Sequence, residues 1–418
     1  MCDRHVPRLV RLGMALLIAA TLAACGRAPK APPARPPVAP SLPQWPDPRG
    51  PFLTGASPAA GPHTARLKWE TKLPWPYVSS PAIGRDGTIY VASGSGPMPP
   101  SKAAAGSTLS AISSEGKVKW ELSSEGADVG WGAFSSAALA ADGTIYVARE
   151  SGELLAVTPE GKVRWKAQFQ WFWDGHAKGT PPWAPTVGPG GIIYTAGGSG
   201  LSAFAPDGTM KWQTKEVPFS RPVFGKEGTI HVGLWDTSKD PALSALTPDN
   251  QLRWHLPKVY GHQVVGSDGT IYAYSEPAAV CAVTPEGTVQ WKLPLGDRDA
   301  RVSLVRFISL GPDGTVHCIP GREGGEVWYA VSPQGRRVRE TKLGEQVISP
   351  PLVTADGVVY LAGVEHCFAY DAQGRELWRL KVGQRRPEWP VPESALAADA
   401  SGTLYISVYP GELMAVGR

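Results

Sequence analysis

The stretch that decides the fold is Ala111-Ile112-Ser113-Ser114-Glu115-Gly116-Lys117-Val118-Lys119-Trp120, because it returns as Ala156-Val157-Thr158-Pro159-Glu160-Gly161-Lys162-Val163-Arg164-Trp165. In both copies an apolar segment meets a polar turn ending in Gly, and Trp follows four residues later. Gly takes positive φ at no steric cost, so the turn is tight and its flanks read as antiparallel strands. Ahead of each copy stands Asp-Gly-Thr-Ile-Tyr-Val, at 86–91 and 142–147. Its apolar and polar residues alternate with period two, the signature of a strand.

Working outward, the same four-segment unit recurs eight times after residue 64. The inner segment reads SSPAI at 79–83, SSAAL at 135–139, WAPTV at 183–187 and SRPVF at 220–224, then HQVV at 262–265, FISL at 307–310, SPPLV at 349–353 and SALA at 394–397. The second segment carries Tyr90, Tyr146, Tyr194, His231, Tyr272, His317, Tyr360 and Tyr405 at one register. The third aligns Ala111, Ala156, Ala203, Ala245, Ala282, Ala330, Ala369 and Ala415. The fourth ends on Trp120, Trp165, Trp212, Trp254, Trp291 and Trp378, with Arg339 in the sixth unit. The eighth unit lacks a fourth segment, and Ala65 to Glu70, with Trp69, reads as a fourth segment with nothing before it. A unit of about 44 residues suits a four-stranded blade. The expectation is an all-β, eight-bladed β-propeller closed by an N-terminal strand that completes the last blade. Each Trp is expected to wedge between neighbouring blades.

The A-x-[STD]-[SPA]-[EDQ]-G-x-x-x-W segments resemble the tryptophan-docking repeat of the quinoprotein, or PQQ-like, propeller superfamily, and the resemblance covers nearly everything after residue 64. It implies the propeller fold and leaves function divided. The superfamily holds periplasmic dehydrogenases that use PQQ with Ca²⁺, and also non-enzymatic members such as the lipoprotein subunit of the outer-membrane β-barrel assembly machinery.

The N-terminus reads as an address. Arg4, Arg8 and Arg11 precede an apolar run from Leu12 to Leu22, too short to span a bilayer and suited to a secretory signal. Leu22-Ala23-Ala24-Cys25-Gly26 then resembles the lipobox of bacterial lipoproteins, which implies cleavage before Cys25 and lipidation of its thiol. Residues 27–62 contain 12 prolines, the composition of an extended tether. The expected organisation is a signal peptide at 1–24, a lipidated Cys and tether at 25–64, and the propeller at 65–418. The chain is therefore expected at the cell envelope, outside the cytoplasm.

Charge and chemistry narrow the function classes. The formal net charge is +4, of which residues 1–24 hold +2, so no nucleic-acid partner is expected. Cys281, Cys318 and Cys367 form no metal-ligand spacing and read as small buried hydrophobes, while His317-Cys318 and His366-Cys367 place neighbours on opposite strand faces. Asp86, Asp142, Asp207, Asp268, Asp313 and Asp356 each precede a turn Gly, which assigns them to hairpins rather than to Ca²⁺. No vicinal Cys pair, nucleophile elbow or metal set is found, so the reading is non-catalytic, with no cofactor or metal. PQQ with Ca²⁺ belongs only to the alternative of a divergent dehydrogenase.

In a four-stranded blade the Gly turns occupy one face, and the blade crossings and second-to-third-strand loops occupy the other. The irregular segments of that second face hold Trp75, Tyr77, Trp131, Trp171, Trp173, Trp183, Trp235, Tyr260 and Trp389 outside the repeat positions. Aromatic side chains bury large area per group ordered, so these residues are the candidate binding surface. The residues equally admit packing of blade tops. The expected role is a monomeric binding or assembly scaffold that engages an envelope protein or polymer, with a glycan-binding or sensor module as a further alternative.

Overall fold

The computed structural model describes residues 57, 59–95, 106–124, 134–149, 151–169, 183–197, 200–235, 241–276, 278–295, 307–320, 327–383 and 396–417. Its strands form eight antiparallel sheets, and the repeat read from the sequence is the unit of each. Blade 1 runs Ala82–Ile83, Ile89–Gly94, Ser107–Ile112 and Val118–Ser123 from the inner edge outward. Blade 7 repeats this with Leu352–Val353, Val359–Ala362, His366–Tyr370 and Glu376–Lys381. Two 3-10 turns, Pro189–Gly191 and Lys226–Gly228, are the helical elements among the described residues.

Burial follows strand position. Every residue of Ile89–Gly94 and Ser107–Ile112 is buried, whereas Val118–Ser123 alternates between exposed and half-buried. Middle strands lie between two neighbouring blades, so both of their faces must be apolar or small. Ala82, Tyr90 and Leu109 of blade 1 share one apolar cluster with Leu139, Ile145, Val147 and Leu155 of blade 2, so the core lies between the sheets.

The Trp residues dock as expected. Trp120 Nε1 donates to Pro159 O of the next blade at 2.7 Å, and Trp165, Trp212, Trp254 and Trp291 repeat the bond to Pro206, Pro248, Pro285 and Pro333 at 2.8–2.9 Å. The indole of Trp120 covers Gly161, which has φ +85, and a Cβ there would lie 2.7 Å from the ring. The repeat Gly thus answers two demands, a left-handed turn and a seat for an aromatic ring. Blade 6 departs from the pattern: the Arg339 guanidinium covers Gly374 and donates to Ala372 O. Its planar shape and N–H edge replace the indole, while Trp328, fully buried, fills the volume beneath and stacks on His317.

Closure is as read. Arg66–Lys72 pairs with Glu412–Gly417 and completes the sheet containing Leu404–Val408 and Leu396–Ala398. Blade 8 therefore has no continuous turn between its third and outer strands. Residues 59–63, assigned to the tether by sequence, lie across blades 7 and 8 and supply the missing dock: Trp378 Nε1 donates to Pro62 O at 2.9 Å.

The Asp-Gly turns are hairpin devices. Asp86 accepts from the Thr88 amide and hydroxyl at 3.0 and 2.6 Å, and Asp142, Asp268 and Asp313 treat Thr144, Thr270 and Thr315 alike. Burial alone would raise the Asp86 carboxyl; the Thr88 bonds and the Lys119 ammonium outweigh it and hold the group below its ordinary value.

Candidate functional site

The face opposite the Gly turns carries the side chains that the repeat does not explain. Its crossings are built by one local rule. Each enters beside the second strand of its new blade, as Tyr77–Val78 does against Ser93 and Gly94, and as Phe134, Pro218 and Val347 do against Arg149, Leu234 and Gly363. A Ser hydroxyl then replaces the next backbone rung. Ser79, Ser135, Ser220 and Ser349 accept from the amides of Ala92, Ala148, Gly233 and Ala362 at 2.7–3.2 Å. The Ser residues in the inner-segment motifs were the available signal for this anchor, and sequence reasoning passed over them.

Three of the expected site residues have described side chains here. Trp75 is half-buried, covers Gly106 where a Cβ would collide with the ring, and donates from Nε1 to Thr108 Oγ1 at 3.2 Å. Tyr77 is half-buried with its ring 5.4 Å from that of Tyr409. Trp183 is half-buried and meets the His262 ring edge-on at 5.6 Å, joining the lead-ins of blades 3 and 5. The structure therefore groups these residues on one face but spaces them around the ring. Trp235 is the last residue of the strand Ile230–Trp235, paired with Pro241, rather than part of the following loop. Tyr260 lies in Val259–Val265, paired with Tyr274. Trp131, Trp171, Trp173, Trp389 and Cys25 lie outside the described residues.

Polar pairs that the sequence reading missed share this face. Glu345, on the crossing into blade 7, accepts from the amides of Glu365 and His366 at 3.1 and 2.9 Å and lies 2.8 Å from His366 Nδ1. His366 is accordingly a half-buried rim residue, on the strand face opposite to its buried neighbour, as the alternation of the strand requires. Its neighbour Cys367 is fully buried, as are Cys318 and Cys281. Burial pushes the Cys281 thiol up to about 11, so it is inert at neutral pH. In blade 2, Arg149 binds Glu153 at 2.7 Å and lies over Phe134 at 5.0 Å. Nearer the axis, Arg221 donates to Pro185 O at 3.0 Å, and Gln263 Nε2 donates to Arg221 O and His231 O at 2.8 and 3.0 Å. That belt ties blades 3, 4 and 5 together through polar groups the repeat does not carry.

A Ca²⁺-supported quinone would need carboxylate and amide oxygens converging on one point. The turn aspartates Asp86, Asp142, Asp268 and Asp313 are spent on their own Thr residues, at separate blades. Among the described residues no group of three or more His, Cys, Asp or Glu is arranged to hold a metal ion. The turn aspartates therefore do not form a site for that cofactor.

The sequence matches the family described as outer membrane protein assembly factor BamB over residues 58–170, 105–233 and 197–405. Among curated proteins none matches. The fold is similar to that of quinohemoprotein alcohol dehydrogenase from Comamonas testosteroni, with a TM-score of 0.68 at 15% identity over 90% of this chain and 81% of that one. A europium-containing methanol dehydrogenase gives 0.66 at 12% identity over 90% and 98% of the two chains. BamB from Moraxella catarrhalis gives 0.59 at 14% identity over 85% and 100%. At these identities the likeness is one of fold.

Proposed function

The chain belongs to the family described as outer membrane protein assembly factor BamB, and from that premise we propose that it is a non-catalytic binding scaffold of the cell envelope, held to a membrane through lipidated Cys25. The observation that carries this reading is the division of labour between its two faces. On one, Asp-Gly-Thr turns and docked Trp residues repeat from blade to blade and close on one another. On the other, Trp75, Tyr77 with Tyr409, and Trp183 with His262 follow no repeat register and remain half-exposed on a rigid frame. Non-repeating aromatic groups on a repeating scaffold are what recognition of an irregular protein surface requires.

Photo-crosslinking distinguishes the two faces. A photoreactive residue at Tyr77 or Trp183 should yield a defined envelope-protein adduct, and one at Lys117 or Lys162 on the turn face should not. Equal labelling from both faces would contradict the reading. The divergent-dehydrogenase alternative predicts a saturable change in the PQQ spectrum in the presence of Ca²⁺; a flat titration is expected here.

A further inference from the structure

Residues 59–63, with Ser57 ahead of them, occupy a groove made by blades 7 and 8. Ser57 N donates to Val353 O at 2.6 Å, and Ala355 N donates to Ala59 O at 3.0 Å. Asp356 receives Gly61 N at 3.4 Å and lies 2.7 Å from His63 Nε2. Pro62 O is the shared acceptor of Tyr360 Oη and Trp378 Nε1, at 3.1 and 2.9 Å. Gly61 lies against the Tyr360 hydroxyl, where a Cβ would collide, and Ala60 O lies against Gly402.

Two observations make this segment separable from the ring. Gly61 and Pro62 are buried, but the segment contributes no residue to the apolar cluster of blades 7 and 8, in which Ala65 is the first N-terminal member, so its hydrogen bonds carry much of its attachment. Among the described residues every other docked turn joins two strands, whereas this one is joined to a single strand, Arg66–Lys72. Segments held mainly by hydrogen bonds open at lower free energy than core strands.

We propose that residues 59–63 are a releasable strap: a short extended peptide bound in cis to a groove on blades 7 and 8, whose detachment loosens those two blades while the rest of the ring stays closed. The groove is thereby a peptide site, selective for a small-residue segment that offers one carbonyl to an indole and a phenol and one cation or donor to Asp356. Whatever acts on the chain N-terminal to the strap acts on ring closure.

The test is hydrogen exchange on the full chain against Gly61→Val, which ejects the strap by collision with Tyr360 and alters no residue of blades 1–8. Exchange in segments 352–382 and 396–417 should rise roughly tenfold, with blades 3–5 unchanged. Tyr360→Phe, which removes only one donor to Pro62 O, should give a smaller rise confined to the same segments and guards against a variant that fails to fold. A synthetic peptide Ser-Pro-Ala-Ala-Gly-Pro-His-Thr, residues 57–64, should restore protection in Gly61→Val at about millimolar concentration, the range a short linker supplies in cis. Unchanged exchange in blades 7 and 8, or a uniform rise over all blades, would overturn the strap. No response to the peptide would overturn the groove as a peptide site.

Discussion

Trp378 Nε1 and Pro62 O, 316 residues apart in sequence, form a 2.9 Å hydrogen bond that performs across the chain ends what Trp120 and Pro159 perform between adjacent blades. Trp378 is also the most buried of the docked Trp residues, at 9% exposed, with its ring 5.8 Å from that of Tyr360. Trp378→Phe keeps most of the volume and loses the donor, so it should cost about 1 kcal/mol. Trp378→Ala should cost about 3–5 kcal/mol through the cavity left. Denaturant titration checks both, and equal losses would show that the indole N–H contributes everything and packing nothing.

Arg339 tests whether the dock requires an indole or only a flat donor. Its guanidinium covers Gly374 and donates to Ala372 O, and it lies 5.5 Å above the Trp328 ring. Arg339→Lys keeps the charge but loses planarity, and should destabilise by about 1–2 kcal/mol. Arg339→Ala should cost no less. A neutral Lys variant in thermal unfolding would mean that charge alone suffices.

The two units with His in place of Tyr should make the ring acid-sensitive. Burial, with a smaller contribution from Arg253, lowers His231 to about 4, and burial also lowers His317 to about 4 despite the opposing Asp313 carboxylate. Both are neutral when folded, so the unfolded chain binds more protons below its ordinary His value near 6.5. Their stabilisation is complete above that value and is lost as pH falls from about 6.5 to about 4. For His231 the loss is roughly 3 kcal/mol at most, at about 1.4 kcal/mol per unit. His231→Tyr, which restores the repeat residue, should flatten the stability-against-pH curve in that window; an unchanged slope would contradict the assignment.

Cys25→Ala should move the protein from the membrane fraction to the soluble envelope fraction, because two or three acyl chains anchor stably where none cannot. Continued sedimentation with membranes would contradict lipidation.

The fold was legible because each blade repeats one physical solution. Asp-Gly-Thr or its equivalent set the inner hairpin, Glu-Gly or its equivalent set the outer one, and Trp four residues on marked the dock in six of the units. The unmatched strand at Ala65 to Glu70 gave the closure as well. The candidate site was legible only as a face. Trp75, Tyr77 and Trp183 stand there, but nothing local in the sequence told that Trp75 covers Gly106 or that Trp183 meets His262, 79 positions later, from a different blade. Glu345 and His366 were missed for the same reason, since their pairing depends on where a crossing enters the next blade. Residues 59–63 read as part of the 25–64 tether because their Pro and Gly content matches what precedes them, while their hydrogen-bond partners Asp356, Tyr360 and Trp378 lie about 300 positions later in the sequence.

The most direct test of the scaffold reading is in-cell crosslinking followed by pull-down, comparing the native chain with a variant carrying Trp131→Ala, Trp171→Ala, Trp173→Ala and Trp183→Ala. The account predicts a defined envelope protein captured by the native chain and lost from the variant, with circular dichroism unchanged. Capture undiminished in the variant, or no specific capture by the native chain, would contradict it.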